Sequence, residues 1–581
     1  MAHNTFVATG RDKTSRDRYE KRVGALRNER ESFMNHWKEL NEYNSPRRGR
    51  FFIEDRNKGK RVHKSIINSK GLKALKVATA GLFAGVMSPT RPWHRLATPD
   101  PELMNFAPVK EWLHMVELQQ RAIFNAGNLY TMAPTMISEL LQFGTGCMTQ
   151  LDDEENLAKF FTHTVGSYFI AQDNNFVTNT LVREYMMTAE QMALEFVPKG
   201  SSTDILSQSV RTALARNRLD QWFPVTHFIE PNDRFRPHNF LSQFKPFASV
   251  KYEPGSKDKN KFLSESGFDE FPVYAPRWET TGEDIYGTDC PGMGSLGDIK
   301  QLQIQEKRKG QAIDKMVNPV LGAPPTVRNV PITSLPGGLN VYDAGGNNQK
   351  IERLYEVSLD LRDFKEDMDR VERRIDDAFF VDLFLAISNM QGVQPRNELE
   401  LSERNAERLL QLGPVLERLQ GEFLDLMVAR TFNQQVKADL LPPPPEELQG
   451  SPLKIEYISS LAQAQKAVDT RGIEATVAFQ AGLMDAGMSD GKKINGDRAV
   501  EVFADLRGVP PKLIVPQADV DKQREAEAQA AAQQAQLDAA TQAAGAARDA
   551  GQAAQSAGNV DLDANSPVTA GIANLNENLG Q

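Results

Sequence analysis

Gly292-Met-Gly294-Ser-Leu-Gly297 matches G-x-G-x-x-G, the spacing that lets a backbone approach a dinucleotide pyrophosphate and then open a helix. Only half of the required context is there. A helix is expected after these glycines, but Thr288-Asp-Cys-Pro291 before them lacks the apolar, β-branched character of a buried strand. The structural alternative is a glycine-rich helix start. Asp152-Asp-Glu-Glu155 could attract a cation, yet a consecutive acidic run suits an exposed turn better than a cage of convergent ligands. Cys147 and Cys290 stand far apart without C-x-x-C or histidine spacing, so neither a zinc site nor a disulfide framework is suggested, and a reducing compartment is the simplest reading. G-x-x-x-x-G-K-[ST], G-x-S-x-G and H-E-x-x-H are absent. No catalytic residue, cofactor or metal is expected.

Charge carries more information than these motifs. The chain has 581 residues, 68 Lys+Arg against 77 Asp+Glu, and a formal charge of −9, which excludes binding nucleic acid by being basic throughout. Residues 1–64 hold seventeen bases and nine acids, whereas 517–581 hold nine acids and three bases, so the body 1–516 is close to neutral at −3. Within it, residues 295–317 carry Lys300, Lys307, Arg308, Lys309 and Lys315 against Asp298, Glu306 and Asp314. Residues 358–388 are the reverse, with nine acids, Glu366 and Asp367 among them, against five bases. In one copy such faces are solvated or salt-bridge each other. In a ring, each charge repeats once per subunit and a weak excess becomes an annular field.

The elements that must position these charges are expected to be α+β and mostly helical. Tyr19, Val23, Leu26, Phe33, Trp37, Leu40 and Tyr43 predict an amphipathic helix over 15–43. Its crowded Arg/Glu face predicts i,i+4 pairs in solvent, with a nucleic-acid arm as the alternative. Further helices are expected at 66–87 and at 108–143, the latter interrupted near Gly127 and Pro134. From Thr145 to about Thr280, short runs such as Ser167-Tyr-Phe-Ile-Ala, Phe176 to Val182 and Val225-Thr-His-Phe-Ile predict strands, interrupted by helices at 188–197 and 202–218.

Ser295 with Asp298 suggests a capped start for a helix over 295–317, which Asn318-Pro319 ends. A second long helix is expected over 358–388, and a third over 402–440 with Leu409, Leu412, Leu416, Leu419, Phe423 and Leu426 on one stripe. Gly413-Pro414 predicts a kink in the third. A smaller, mostly helical unit follows at 454–508. Beyond Pro516 the chain is Ala, Gln, Asp and Gly, which supports a helix over about 519–550, in a barrel of copies or disordered, and disorder over Gly551–Gln581. Val77 to Thr90 is the longest uncharged apolar stretch and is too short to span a bilayer; with no signal pattern at the N-terminus, no membrane contact is expected.

This order of parts resembles the phage portal family, specifically the podovirus head-to-tail connectors. The residues carrying the likeness are Tyr286-Gly-x-x-x-Pro291-Gly, Ser295-Leu-Gly-Asp-Ile-Lys-x-Leu302, Val317-Asn-Pro319, Arg374-Ile-x-x-Ala378-Phe, Leu412-Gly-Pro414-x-Leu416-x-Arg418-Leu, Arg430-Thr-Phe432 and Ile455-x-Tyr457-Ile. The resemblance implies a portal-type fold. Its parts would be a flexible 1–14, an α/β wing over 15–290, a stem of 295–317 and 358–388, a β clip over 318–357, a channel loop over 389–402, a kinked helix and crown over 403–516, and the acidic tail 517–581. It also implies a non-enzymatic ring, a dodecamer, at one capsid vertex of a virion assembled in the host cytoplasm, passing double-stranded DNA non-specifically in packaging and ejection.

The partners that the resemblance implies are further copies of the chain, the major capsid and scaffolding proteins, the terminase large subunit, and tail adaptor or nozzle proteins. For the DNA channel the expected residues are Lys300, Lys307, Lys309, Lys315, Glu366 and Asp367, and for the channel loop Met390, Gln391, Val393, Gln394 and Arg396. Leu335, Pro336 and Tyr342 suit partner docking in the clip, and Gly413 and Pro414 the helix kink. Two other readings stay open, a different virion structural protein such as an internal core or tail component, and a nucleotide-binding enzyme using Gly292 to Gly297.

Overall fold

The computed structural model describes residues 16–53, 64–256 apart from 101, 102 and 105, 262–317, 321–322, 352–353, 361–389, 411–459 apart from 449 and 451, the positions 461, 480, 496, 500 and 515, and 517–557. Its contacts divide the chain into two units, Met1–Gly508 and Val509–Gln581. In chain order the first unit runs α1 (Arg16–Asn44), α2 (Lys70–Val86), β1 (His94–Ala97), α3 (Ala107–Ala126), α4 (Leu129–Phe143), β2 (Met148–Asp153), β3 (Leu157–Thr162), β4 (Tyr168–Gln172) and β5 (Thr178–Thr188). It continues with α5 (Ala189–Phe196), α6 (Gln208–Ala215), β6 (Trp222–Pro231), β7 (Phe247–Tyr252), β8 (Ser264–Phe268) and β9 (Val273–Tyr274). Then come α7 (Leu296–Val317), α8 (Leu361–Ala378), α9 (Val381–Asn389), α10 (Asp425–Lys437) and β10 (Lys454–Tyr457).

Every described strand pairing is antiparallel. β4 to β8 form one five-stranded sheet in sequence order, β3-β2-β9 a second sheet, and β1 pairs with β10. Short connections join β2 to β3 and β4 to β5 as hairpins, whereas α5 and α6 fill the connection from β5 to β6. Helix α1 covers the larger sheet. Tyr19, Val23 and Leu26 share a core with Phe169, Val182, Phe228, Val250 and Tyr252. About three turns further on, Trp37 is 1% exposed between the rings of Phe33 and Tyr286, at 5.5 and 5.2 Å. The main core joins α2, α3 and α4 to α7, α8 and the helical residues 411–437.

Several expectations are corrected. Pro134 does not interrupt α4; the only break is at Gly127-Asn128, where Asn128 takes φ +61°. Gly127 is needed there because a Cβ would meet the Ala158 carbonyl oxygen at 2.3 Å. Ser295 does not cap α7. Helix begins a turn earlier at Pro291, and the buried Ser295 hydroxyl donates back to the Pro291 carbonyl at 2.6 Å. The helix expected over 358–388 is two helices, because Phe380 takes φ +54° between α8 and α9. That turn lets α9 bury Val381, Leu383 and Phe384 against α2, where a Cβ on Gly81 would lie 2.3 Å from Phe384.

The third long helix is helical through Gly413 and Pro414 and contains a π-turn at Gln420–Leu424. This places Leu426, expected on the buried stripe, 44% in solvent. Leu409 lies outside the described residues. In the second unit, α11 (Gln517–Ala557) is helical past Gly551, seven residues further than expected, and every side chain described in it beyond Val520 is exposed.

Candidate functional site

Helices α7 and α8 carry the charges singled out in the sequence. Their lower halves are fixed by burial: Ile299 and Leu302 of α7 share the main core with Met368, Val371 and Ile375 of α8. Gln303 is 5% exposed, its Oε1 accepting from the amides of Ile67 and Asn68 at 2.6 and 2.8 Å and its Nε2 donating to the Asn68 carbonyl at 2.8 Å. These bonds tie α7 to the segment leading into α2, so the base of the helix pair cannot rotate without leaving polar groups unpaired in the core.

Between the helices, Arg374 pairs with Asp298 at 2.9 Å, and Gln305 Nε2 donates to Asp367 at 2.6 Å. Lys70 of α2 reaches Asp376 at 2.5 Å. The faces of the two helices thus bridge each other in part. Lys300 pairs with Glu39 of α1 and lies 5.6 Å from the Tyr43 ring centroid, which commits it to an intrachain contact. Lys309 is held by Glu306 at 3.5 Å and Glu366 by Arg370 at 2.9 Å, both within their own helices. Lys307, Arg308 and Lys315 make no ion pair among the described residues and are exposed.

Beyond Gln303, no side chain of α7 is buried, although Ile304, Ile313, Met316 and Val317 are 52%, 41%, 40% and 71% exposed. Exposed cations and apolar groups therefore alternate along a helix that extends away from its core. Leu321–Gly322 pairs with Glu352–Arg353, closing the base of the segment expected to form the clip. Leu335, Pro336, Tyr342, Met390, Gln391, Val393, Gln394 and Arg396 lie outside the described residues.

The motifs that suggested other chemistry have structural duties. Gly292 is where a helical turn crosses α4, since a Cβ would meet the Gln142 carbonyl oxygen at 2.6 Å, and Gly294 and Gly297 face open space. No parallel strand precedes it, so the dinucleotide setting is missing among the described residues. In the acidic run, Asp152 accepts from Arg430 at 3.1 Å and Gln434 at 2.5 Å, and Asp153 accepts from Asn156. Among the described residues no group of His, Cys, Asp and Glu is placed to hold a metal. Burial pushes the Cys290 thiol up to about 12, and Cys147 higher still, so neither is a thiolate at neutral pH.

The sequence profile of the bacteriophage head to tail connecting proteins matches residues 16–515. The chain belongs to this family. It is 38% identical over 534 residues to the portal protein of Salmonella phage epsilon15, covering 91% of this chain and 95% of that one. It is 41% identical over 529 residues to the probable portal protein of Bordetella phage BPP-1, covering 90% and 94%. A chain from the solved neck of an empty GTA particle is 13% identical with a TM-score of 0.37, covering 81% of this chain and 98% of that one, a likeness too weak to argue from.

The residue that sequence reasoning missed is Arg277. It is buried, and it grips Glu422 in the π-turn through its backbone N–H at 2.9 Å and its Nη2 at 2.6 Å. Nothing in the spacing of apolar residues marks the π-turn, and nothing points to its partner 145 residues away.

Proposed function

We propose that copies of this chain assemble into the portal ring of a tailed phage, at the capsid vertex where head meets tail, and that double-stranded DNA passes through the ring. The chain is a phage portal by its family and by its extended match to two portal proteins, the observation that carries this reading. Its role is structural, consistent with motifs that serve packing. The parts then take the places the family suggests: the sheets and α1 to α6 as wing, α7 and α8 as stem, 318–357 as clip, 389–402 as channel loop, and 403–516 as kinked helix and crown.

DNA carries one negative charge per ~1.7 Å of axis, so a conduit must centre the duplex without clamping its phosphates. A body near neutrality suits that task. Lys307, Lys309 and Lys315 are the levels of transient contact, while the acids of α8, Glu366 and Asp367 among them, keep the duplex off the wall. Lys300 is left out of this set because Glu39 ties it to α1, whereas the partner of Lys309 lies on its own helix. The exposed Ile304, Ile313 and Met316 supply the contact between neighbouring stems. The motor and its adaptor partners, the terminase large subunit and the tail proteins, meet the clip. Capsid and scaffolding proteins meet the wing, with assembly in the host cytoplasm.

Ring mass by native mass spectrometry, with end-on negative-stain images, tests this. The expected result is a closed ring of twelve subunits with an axial hole; a monomer or an open filament would sink the proposal. A chain truncated after Pro516 should form the same ring, because the side chains of α11 described beyond Val520 are all exposed. Loss of the ring on truncation would place the tail inside the assembly as a barrel.

A further inference from the structure

The helical residues 411–437 carry two buried stripes of identical spacing. Leu412, Leu416, Leu419 and Phe423 follow steps of four, three and four; beyond the π-turn a second row, Leu424, Val428, Thr431 and Gln435, repeats those steps one residue out of phase and is buried together with the in-phase Met427, Arg430 and Gln434. A continuous α-helix would point the two stripes about 100° apart. The π-turn absorbs the extra residue: the Asp425 amide donates to the Gln420 carbonyl, and both stripes then face the core.

Glu422 sits in the middle of that turn, and Arg277 holds it. Besides the two bonds already given, Arg277 Nε donates to Glu422 Oε1 at 3.2 Å. The remaining donors go to Gln172 Oε1 at 3.0 Å, the Phe176 carbonyl at 3.1 Å and the Asp284 carbonyl at 3.4 Å. Gln172 ends β4, the edge strand of the five-stranded sheet, and Phe176 lies in the β4–β5 hairpin. One buried guanidinium therefore ties the π-turn to the edge of the sheet. The C-terminal stripe has its own anchor, with Gln150 Nε2 donating to Thr431 at 3.1 Å and Gln434 at 2.6 Å. On the N-terminal side Arg418 Nη1 donates to the Trp278 carbonyl at 3.2 Å, so residues 277 and 278 together hold the turn and the helical residue before it.

We propose that Arg277 is a positioning residue for DNA passage: through Glu422 it fixes the rotation of residues 411–419 relative to 425–437 and couples it to the edge of the sheet. The proposal rests on the portal reading. A π-turn and an α-turn are discrete arrangements of one helix, and the grip of Arg277 selects between them. The selection has one polarity. Arg277 is surrounded by three uncharged acceptor oxygens, so a carboxylate at 277 would face them unpaired and exchanging the two charges does not restore the grip.

The test compares the full chain with Glu422→Ala, Glu422→Gln, Arg277→Lys and the exchange Arg277→Glu with Glu422→Arg. Three measurements are made: ring formation by negative stain, amide hydrogen exchange over 418–430 in the rings, and DNA packaged per particle when each variant replaces the wild-type copy. Rings are expected from the Glu422 and Arg277→Lys variants, because the buried rows on either side of the turn are left unchanged. Exchange at 420–425 should rise at least tenfold and packaged DNA fall at least tenfold in Glu422→Ala. Glu422→Gln, which keeps an acceptor, should fall between it and wild type, and the exchanged pair should do no better than Glu422→Ala. Wild-type exchange in Glu422→Ala, or faster exchange with undiminished DNA, would overturn the positioning role. Failure of the wild-type ring to form or to package would instead strike the portal reading, so the two failures are distinct.

Discussion

Helices α1 and α7 look alike as sequence, long, amphipathic and rich in cations, yet their charges end in different places. On α1, Arg18 reaches Glu230 and Asp233 at 3.1 Å each, Arg22 reaches Glu230 at 3.2 Å, and Arg27 reaches Glu184 at 2.7 Å. Arg30 is 5% exposed, donates to the carbonyls of Gly166 and Tyr168 at 2.8 Å each, and lies 3.8 Å over the Phe169 ring. These cations are fastened to the sheet. Neither of the arrangements expected for them, helix-surface pairs or a nucleic-acid arm, describes this; Arg16–Glu20 is the one i,i+4 pair of the helix among the described residues. On α7 the upper cations have no such partners. A basic helix is available to DNA only to the extent that its own fold leaves the cations uncommitted.

The comparison is sharpened first where it predicts the largest effect. Arg30→Ala removes a cation stacked on an aromatic ring and leaves two buried carbonyls without a donor, a loss of about 3 kcal/mol. Lys307→Ala should stay within about 0.5 kcal/mol, as for an unpaired surface group. Urea unfolding midpoints check both, and equal shifts would erase the distinction between the helices.

The second effect depends on pH and comes from the segment that follows α1. Arg48 approaches Glu139, a fully buried carboxylate of α4, at 3.5 Å, and the Val165 amide donates to it at 3.1 Å. Burial raises Glu139 to about 7 despite the pull of Arg48. Its folded-state value lies above its unfolded value, so its contribution to stability is full below about 4.5 and is lost as pH rises through about 7. The total lost is on the order of 3 kcal/mol. Burial lowers His94 to about 4 and His227 to about 3, so both act in the opposite direction, losing stability as pH falls from about 6.5 through those values. The difference between wild type and Glu139→Gln cancels the histidines: wild type should gain on the variant at pH 5 relative to pH 8. A difference that does not vary with pH would mean that Glu139 is charged throughout.

How much of this was legible in the sequence depends on how local the cause is. The strands of 145–280 could be read because β-branched and aromatic runs report a local preference, and α1 because its stripe repeats within one helix. The break at Phe380 could not, since it serves the packing of Phe384 on Gly81, some 300 residues earlier. Leu426 was placed on the buried face because a 3.6-residue period was carried straight through 423. The π-turn after Leu419 was not legible, because Met427 continues the first row in phase and the second row is polar at Thr431 and Gln435, so the apolar pattern alone carries no break. For the candidate site, the position of the charged helices was legible, whereas the commitment of Lys300 to Glu39 was not, because nothing in the spacing brings α1 beside α7.

The smallest expected effect on the fold is the one aimed most directly at function. Reversing Lys307, Lys309 and Lys315 together to Glu removes one intrahelical pair, Lys309–Glu306, and otherwise touches exposed groups. Surface pairs of this kind are worth about 0–1 kcal/mol, so unfolding midpoints and ring formation should hardly move. In a ring the same change removes three positive and adds three negative charges per subunit on one helix, enough to turn a mild attraction for the duplex into repulsion at those levels. Packaged DNA should therefore fall, and retention after packaging should become more sensitive to low salt, where screening is weakest. If the triple variant packages and retains DNA as the wild type does at every salt concentration, these three lysines of α7 face something other than DNA. The contrast with α1 would then describe only which cations the fold has used.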